Sequence, residues 1–208
     1  QGEIRLPQGL RQVPRVKIGC VLLAAGAGMR FGGGKLLHEI EGEPMIQRAL
    51  HLYRDIPFTA RVCVTRAGAT EIQRFARESG FPIAINPNPD RGVGTSVSIA
   101  TSAILEREPE LDGILYAVAD QPYLTRESLD QLLEAFEAHP SDIASLCFGD
   151  RRGNPAIFPK DLFQELCALS LDIGGGAIIR RYPDRLRLVN AQTARELDDI
   201  DTIDDLIE

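Results

Sequence analysis

The chain has 208 residues, of which 44% are hydrophobic and 25% are charged, and its formal net charge is −7 at pH 7. This length suits one α/β domain, and the composition is that of an ordinary globular protein, which excludes disorder as the dominant state. The negative charge disfavours a nucleic acid or an anionic membrane as partner, because either would repel most of the surface. No stretch reaches the roughly 18 apolar residues of a membrane span.

Short apolar runs alternate with amphipathic runs, which predicts a mostly parallel sheet with helices on both faces. In chain order, strands are predicted at 16–23, 61–65, 82–85, 112–119, 142–148, 154–158 and 186–189. Helices are predicted from Pro44 to Tyr53, at 68–80, after a cap at Thr95 or Ser96, from a cap at Thr125 to 138, and at 161–169. Gly174–Gly176 are expected to break the chain.

Residues 1–14 carry two prolines and no sustained periodicity, so they are expected to be a linker or an expression remnant. Residues 15–208 are then a single domain. The four cysteines are far apart and form no Cys-x-x-Cys pair, and three of them lie inside apolar runs. We therefore expect buried thiols in a reducing compartment and a cytoplasmic protein.

A glycine-rich loop directly follows the first predicted strand. It places five glycines within the nine residues 26–34, together with Arg30 and Lys35. Glycines let the backbone take positive φ and bring its N–H groups close to an anion, and the two cations add positive charge. The loop therefore suits the phosphates of a nucleoside triphosphate.

Two better-known phosphate motifs do not fit this loop. A Walker loop requires glycine where Met29 stands and a hydroxyl where Leu36 stands. The dinucleotide fingerprint begins well at Gly26 and Gly28 but has Phe31 at its third glycine. A nicotinamide-dependent oxidoreductase is therefore disfavoured and kept as an alternative.

Three stretches are expected to meet at one edge of the sheet, because ligands of open α/β sheets gather beyond the carboxyl ends of the strands. They are the glycine loop, the turn-rich segment 86–96 and Asp120, each of which follows a predicted strand. A metal-bridged triphosphate requires Lys35 to lie within about 15 Å of Asp120.

Carboxylates are candidates for a magnesium site. Asp120 ends an apolar strand, where a carboxylate has no packing role. If the C-terminal segment is extended, Asp199 and Asp201 face one side, whereas Asp198 and Ile200 face the other. Asp204 and Asp205 are expected only to start a terminal helix that Thr202 caps.

The pattern Leu-Ala-Ala-Gly-x-Gly-x-Arg-x-Gly at Leu23 to Gly32, with Lys35 close behind, resembles the signature of MobA-like nucleotidyltransferases. The likeness is nearest to the molybdenum cofactor cytidylyltransferases. It implies a Rossmann-like, three-layer α/β/α fold with a mostly parallel mixed sheet, the nucleotide-diphospho-sugar transferase fold. It also implies transfer of CMP from CTP to the terminal phosphate of molybdopterin, the molybdenum cofactor, with Mg²⁺ as cofactor. A molybdoenzyme or its chaperone is a further implied partner.

The resemblance assigns roles to particular residues. Catalysis falls to Lys35, Arg30 and Asp120, and the metal to Asp120, Asp199 and Asp201, with the choice between the last two left open. Nucleotide binding falls to Leu23, Ala24, Ala25, Gly26, Gly28, Lys35, Thr95 and Ser96. Ala25 and the pair Thr95 and Ser96 match the pattern of cytidylyltransferases rather than that of guanylyltransferases.

The chain departs from the family at two places near the implied acceptor site. Asn154 replaces the usual histidine in the segment Gly149–Pro155, and Ile178 replaces an arginine after Asp172, with Arg180 two residues later. Arg151 and Arg152 are equally consistent with binding an acceptor phosphate and with ordinary solvation. Remaining alternatives are a transferase for GTP or another phosphorylated acceptor, and a non-catalytic carrier of the pterin.

Overall fold

The structure is a computed structural model that describes residues 16–26, 28, 31, 33–202 and 204–206. The strands are β1 (Ile18–Ala24), β2 (Glu39–Ile40), β3 (Glu43–Pro44), β4 (Ala60–Arg66), β5 (Ile83–Asn86), β6 (Gly113–Val118), β7 (Ile143–Phe148), β8 (Arg151–Pro159) and β9 (Leu186–Asn190). The α-helices are α1 (Met45–Arg54), α2 (Thr70–Glu78), α3 (Val93–Arg107), α4 (Arg126–Ala138), α5 (Phe163–Cys167) and α6 (Gly175–Arg181). Short 3₁₀ helices include Lys35–Leu37, Ala194–Leu197 and Asp204–Leu206.

Within these residues, seven strands form one sheet in the order β5-β4-β1-β6-β8-β7-β9. The neighbours from β5 to β6 are parallel, β8 runs antiparallel to both β6 and β7, and β9 is parallel to β7. The predicted mostly parallel, mixed sheet is confirmed. β2 and β3 form a separate small hairpin.

Helices cover both faces of the sheet, because successive side chains of a strand point to opposite faces. In β1, Cys20 and Leu22 pack into a core formed with α1, α2 and α4. Val21 lies in a second core formed with α3, α5 and α6. The chain therefore has the predicted three-layer α/β/α arrangement.

One of the two predicted helix caps is confirmed and the other is wrong. Thr125 caps α4, since its Oγ1 accepts a hydrogen bond of 3.3 Å from the backbone N–H of Ser128, as expected. The cap predicted at Thr95 or Ser96 is wrong, because α3 already begins at Val93 after Gly92, with no side-chain cap. Gly92 has φ of 106°, a conformation that glycine adopts readily.

Other boundaries also differ from the predictions. Gly174–Gly176 do not break the chain, since α6 begins at Gly175. The helix predicted at 161–169 is reduced to α5 with a preceding 3₁₀ turn, and the strand predicted at 154–158 extends over all of β8.

All four cysteines are free thiols, and Cys20, Cys63 and Cys147 are buried as expected. Burial raises the pKa of the Cys63 thiol to about 12, so this thiol is un-ionised at neutral pH. Among the helices that the structure describes, none combines the length and the hydropathy needed to cross a bilayer. Residues 1–14 lie outside the described part of the chain, so the division at residue 15 stays a prediction.

Candidate active site

The carboxyl ends of β1 and β6 lie side by side and bring the glycine loop next to Asp120. The two strands pair in parallel, with Leu23 opposite Val118. Beyond the last pair, the backbone N–H of Ala119 donates to the carbonyl of Leu23 at 3.1 Å. Two segments almost a hundred residues apart in sequence are thus held at one edge of the sheet.

The described part of the glycine loop turns tightly around Gly28. This residue has φ of 60°, and its carbonyl accepts hydrogen bonds from the N–H groups of Phe31 at 3.0 Å and Gly33 at 3.1 Å. A Cβ atom on Gly28 would lie 2.8 Å from the Cβ of Lys35, which is closer than such atoms can approach. Glycine at this position therefore allows Lys35 to pack against the loop.

Lys35 is held between two carboxylates. Its Nζ donates to Oδ2 of Asp120 at 2.7 Å and to Oδ1 of Asp201 at 3.2 Å, and its side chain is 11% exposed. The required proximity of Lys35 and Asp120 is met. Burial lowers the pKa of the Lys35 ammonium, but the charges and hydrogen bonds of both carboxylates raise it further, so the net shift is upward. Lys35 is therefore positively charged at neutral pH.

The C-terminal segment reaches this spot in an extended form. The backbone N–H of Ile200 donates to the carbonyl of Asp120 at 3.0 Å, and the Ile200 side chain is buried in the core. Asp198 forms an ion pair with Arg151. Asp201 faces Lys35 and the Ile200 side chain faces the core, but Asp198 lines the same groove as Asp199 and Asp201, so the alternation expected along 198–201 stays a prediction.

Asp199 is exposed to water on one side and stands near the same carboxylates. Partial burial raises the pKa of its carboxyl, and so do the charges of Asp120 and Asp201. A hydrogen bond from Gln121 and the charge of Lys35 act in the opposite direction but do not outweigh them. The edge of the sheet thus carries more negative charge than Lys35 alone neutralises.

The carboxylates around Lys35 have oxygen donors of the kind that bind a divalent cation. Among the residues that the structure describes, no three His, Cys, Asp or Glu side chains already stand in a metal-binding arrangement. Asp120 and Asp201 nevertheless direct carboxylate oxygens at one cation, the ammonium of Lys35. Carboxylate oxygens are the donors that Mg²⁺ prefers, so the donor set fits such an ion.

The predicted nucleotide-binding residues lie in different surroundings. Leu23 lines a cavity, whereas the side chains of Ala24 and Ala25 are buried in the cores on either face, which leaves only their backbone for contact with a ligand. Gly26 is exposed, with open space where a side chain would be. Arg30 lies outside the described residues.

Thr95 and Ser96 lie in the first turn of α3. Ser96 is buried, and its Oγ accepts a hydrogen bond of 2.9 Å from Nδ2 of Asn86 at the end of β5. Thr95 lines a separate shallow groove beside Arg91 and Leu171. The buried pair of Asn86 and Ser96 was missed at the level of sequence, where Asn86 was counted only among the turn formers.

A cavity of about 280 Å³ opens at the ends of β1, β6 and β8. Its apolar lining includes Leu23, Val97, Tyr116 and Phe158. Its polar lining comes from two stretches that the sequence placed near an acceptor: Arg152 to Asn154, and Gly174 to Gly176. The cavity therefore brings Asn154, the first departure from the family pattern, next to the glycine stretch that precedes the second. The side chain of Ile178 itself is buried in the core and does not line this cavity.

Arg151 has a different position from its neighbour. It forms an ion pair with Asp198 and also donates to the carbonyl of Leu197. Arg151 therefore anchors the C-terminal acidic segment, which begins at Asp198, to β8. Neither of the two roles considered for Arg151 from sequence describes this contact.

A curated protein resembles this chain over nearly the full length of both. The chain is 27% identical over 195 residues to a nicotine blue oxidoreductase from Paenarthrobacter nicotinovorans, and the match covers 89% of this chain and 93% of that protein.

Solved structures share the fold. A Mycobacterium sp. strain JC1 homolog of Mycobacterium tuberculosis Rv0371c superposes with a TM-score of 0.76 at 23% identity, covering 92% of this chain and 93% of that one. Rv0371c of M. tuberculosis H37Rv in complex with manganese gives 0.71 at 22%, covering 91% and 96%. A CMP:2-keto-3-deoxy-manno-octonic acid synthetase complexed with CTP gives 0.61 at 15%, covering 84% and 90%.

These neighbours confirm the predicted nucleotide-diphospho-sugar transferase fold. The family model described as MobA-like NTP transferase domain matches residues 20–186, which is most of the chain, and the protein therefore belongs to the MobA-like NTP transferases.

Proposed function

We propose that this protein transfers CMP from CTP to the terminal phosphate of molybdopterin, the molybdenum cofactor, and releases pyrophosphate. The observation that carries the proposal is the position of Lys35, which joins the glycine loop to Asp120 and Asp201. A cation held in a fixed position beside a glycine loop supplies the positioning and charge stabilisation on which phosphoryl transfer depends.

Lys35 is the residue best placed to hold the triphosphate. An ammonium has three N–H donors, and Asp120 and Asp201 take two of them, so the third can donate to a phosphate oxygen. The backbone N–H groups around Gly26 and Gly28 supply further donors, and we assign Arg30 to the departing pyrophosphate.

The carboxylates have a second task in this proposal. Asp120, with Asp199 and Asp201, would hold Mg²⁺. A bound Mg²⁺ would neutralise negative charge on the α-phosphate of the nucleotide. The manganese complex of a structural neighbour supports a divalent ion in this fold. The attacking phosphate is already ionised at neutral pH, so no general base is needed and the rate depends on positioning and on charge stabilisation.

Cytosine is favoured over guanine by the loop sequences. Ala25, Thr95 and Ser96 stand where the two nucleotide classes differ, and a structural neighbour binds CTP. Isothermal titration of CTP and GTP, each with and without Mg²⁺, tests this choice. Tighter binding of GTP than of CTP would identify GTP as the nucleotide substrate.

The central experiment compares Asp120→Asn with Asp198→Asn in an assay of Mg²⁺-dependent pyrophosphate release from CTP and molybdopterin. Asp120→Asn removes one of the charges around Lys35, and we expect the rate to fall at least about 100-fold. Asp198 pairs with Arg151 and not with Lys35, and its variant is expected to stay within about threefold of wild type.

Two results would reject the proposal. One is turnover of Asp120→Asn within tenfold of wild type while circular dichroism shows the native fold. The other is binding of the pterin without any release of pyrophosphate from wild type, which describes a non-catalytic carrier. The molybdoenzyme or chaperone that receives the product would then have no cytidylylated cofactor to accept.

A second candidate function is reduction of an organic substrate by a nicotinamide dinucleotide. It is favoured by the nicotine blue oxidoreductase relative, which this chain matches over 93% of its length. The glycine spacing around Phe31 opposes it. Oxidation of NADPH in the presence of nicotine blue, measured as a loss of NADPH absorbance, distinguishes this candidate from nucleotidyl transfer.

A further inference from the structure

Two arginines that the proposed mechanism does not use direct their side chains to one point beside the apolar cavity. Arg152 lines this cavity from β8, and Arg180 belongs to α6. A Cβ atom on Gly176 would lie 3.2 Å from Nη2 of Arg152 and 3.7 Å from Nη1 of Arg180. Because residue 176 is glycine, no side chain fills the space at which the two guanidinium groups meet.

Neither guanidinium has an acidic partner among the described residues, although the arginine next to each one does. Arg151 is paired with Asp198, and Arg181 is paired with Glu165. The two pairs of adjacent arginines, Arg151 with Arg152 and Arg180 with Arg181, therefore follow the same pattern. In each pair one arginine binds a carboxylate of the protein, and the other faces the region of Gly176. This separation distinguishes Arg152 and Arg180 from arginines that make structural contacts.

The two cations repel one another when no anion is present. Burial lowers the pKa of Arg152, and the charge of Arg180 lowers it further. An oxyanion between them would offset this repulsion. Guanidinium groups are suited to such a partner, because their parallel N–H donors match the oxygens of a phosphate.

We infer that Arg152 and Arg180 bind the phosphate of the second substrate, a phosphate monoester whose apolar portion occupies the adjoining cavity. The inference deepens the proposed function and rests on it for the identity of this ligand as the acceptor. Two features support the substrate class: the paired cations at Gly176, and the apolar walls formed by Val97, Tyr116 and Phe158. Lys35 and the glycine loop remain assigned to the nucleotide.

The binding test uses inorganic phosphate as the probe and the full chain as the protein. Arginine Nε–Hε signals are followed by NMR during a phosphate titration at constant ionic strength, with chloride as the competing anion. The signals of Arg152 and Arg180 are expected to shift together and to saturate, whereas that of Arg181 stays in place. In Arg180→Gln, the concentration for half-saturation of the Arg152 shift should rise at least fivefold.

Arg181→Gln is the matched control, because it removes a neighbouring charge on the same helix that pairs with Glu165. Its phosphate binding is expected to equal that of wild type. Equal weakening by Arg180→Gln and Arg181→Gln would overturn the inference, since it would show attraction by general charge. Absence of saturable shifts at Arg152 and Arg180 would overturn it as well.

Thermal melting excludes a merely structural role. Because Arg180 has no partner in the described residues and repels Arg152, Arg180→Gln should leave the melting temperature unchanged or raise it. A large drop in melting temperature would mark Arg180 as a structural residue and contradict the inference.

Failure of this inference can be told apart from failure of the proposed function. The variant Arg152→Gln/Arg180→Gln should bind CTP with Mg²⁺ as wild type does, and its KM for the phosphorylated acceptor should rise at least tenfold. If wild type releases pyrophosphate but binds no phosphate at this pair, the inference fails alone. If phosphate binds here but CTP does not bind to the protein, the proposed function fails and the anion site stands.

Discussion

Asp199 shows how a single residue can favour function at the expense of stability. Its carboxyl has a raised pKa in the folded protein, so the folded chain holds its proton to higher pH than the unfolded chain does. Stability therefore falls as pH rises through the interval between these two pKa values, and the loss persists at neutral pH. An ionised carboxylate that destabilises the folded protein is expected to have a function, here the binding of a ligand that interacts with its negative charge.

We predict that Asp199→Asn stabilises the metal-free protein at pH 7 and slows pyrophosphate release. Because Asp199 is exposed to water, solvent screening limits the gain to less than about 1 kcal/mol, or roughly 2–4 °C in melting temperature. The gain should disappear near pH 3, where the carboxyl is protonated in both states. Melting curves from pH 3 to pH 8 measure it. Asp198→Asn, which loses the ion pair with Arg151, should show no gain, and a gain in both variants would contradict this account.

Gly28 allows the close packing of Lys35 against the glycine loop. Gly28→Ala places a Cβ atom 2.8 Å from the Cβ of Lys35 and must displace the lysine from its carboxylates. We expect pyrophosphate release to fall at least about tenfold, with a stability loss of about 1–2 kcal/mol from the left-handed backbone.

Gly34→Ala is the matched control for this change. Gly34 has φ of 66°, close to the 60° of Gly28, but a Cβ atom there would meet nothing within 4 Å. The two variants should lose similar stability in denaturant titrations, whereas only Gly28→Ala should lose most of its activity. Similar activities for both variants would show that the position of Lys35 does not depend on Gly28.

Glu196 joins the 3₁₀ helix Ala194–Leu197, which leads into the C-terminal aspartates, to the start of α4. It is 1% exposed, and its two carboxylate oxygens serve different partners. Oε2 accepts from the N–H of Thr125 at 3.0 Å and from its Oγ1 at 2.7 Å, and Oε1 accepts from the N–H of Thr193 at 3.0 Å. Burial alone would raise the pKa of Glu196, but these bonds and one from Ser128 outweigh it and lower the pKa.

We predict that Glu196→Gln destabilises the fold by about 2–3 kcal/mol at pH 7, since an amide N–H₂ must then face one of the donors. A lowered pKa provides stability above the unfolded value of roughly 4.3 and loses it as pH falls through the folded value. Wild type should therefore lose more stability than the variant between pH 5 and pH 3. Urea unfolding at several pH values measures both effects.

Glu106→Gln, at an exposed position on α3, is the control for this experiment. It should change the free energy of unfolding by less than about 0.5 kcal/mol. If Glu196→Gln shows the same acid sensitivity as wild type, the hydrogen bonds of Glu196 are not the source of that sensitivity.

The elements that the sequence predicts well are those whose signals are local. β1 follows from its apolar run, and the start of α4 follows from Thr125 and Ser128 three residues apart. The start of α3 could not be read in this way. There the N–H of Gly94 donates to the carbonyl of Leu171 at 2.8 Å, and this distant segment helps to fix the helix start.

Across the whole molecule, the meeting of Lys35 and Asp120 was predictable because both follow strands of one parallel sheet. The different positions of Arg151 and Arg152 were not predictable. The first binds Asp198 and the second approaches Arg180, so the difference depends on residues that are distant in sequence. Periodicity predicts which residues share a face of an element, but it does not specify which distant segment packs against that face.

The candidate site is assembled from the first and last parts of the chain, and this predicts a coupling that can be measured. The contacts that tie the segment 198–202 to the rest of the protein include the hydrogen bond from Ile200 to Asp120, the ion pair of Arg151 with Asp198, and the contact of Asp201 with Lys35. An extended segment outside the helices and strands, held by local contacts of this kind, opens without global unfolding. A nucleotide and a metal ion that bind only the closed arrangement must oppose this opening.

We predict that CTP with Mg²⁺, at about 100 times its dissociation constant, slows amide hydrogen exchange in residues 198–202 roughly 100-fold, since saturation to that degree stabilises the bound form by about 2.7 kcal/mol. Amides of α2, on the far side of the sheet from the cavity, serve as the internal control and should exchange at an unchanged rate. Exchange measured by mass spectrometry on peptides covering both regions decides the matter. If nucleotide binds tightly while 198–202 exchanges as fast as in the free protein, the C-terminal carboxylates do not take part in nucleotide binding, and Asp120 and Lys35 must hold the triphosphate without them.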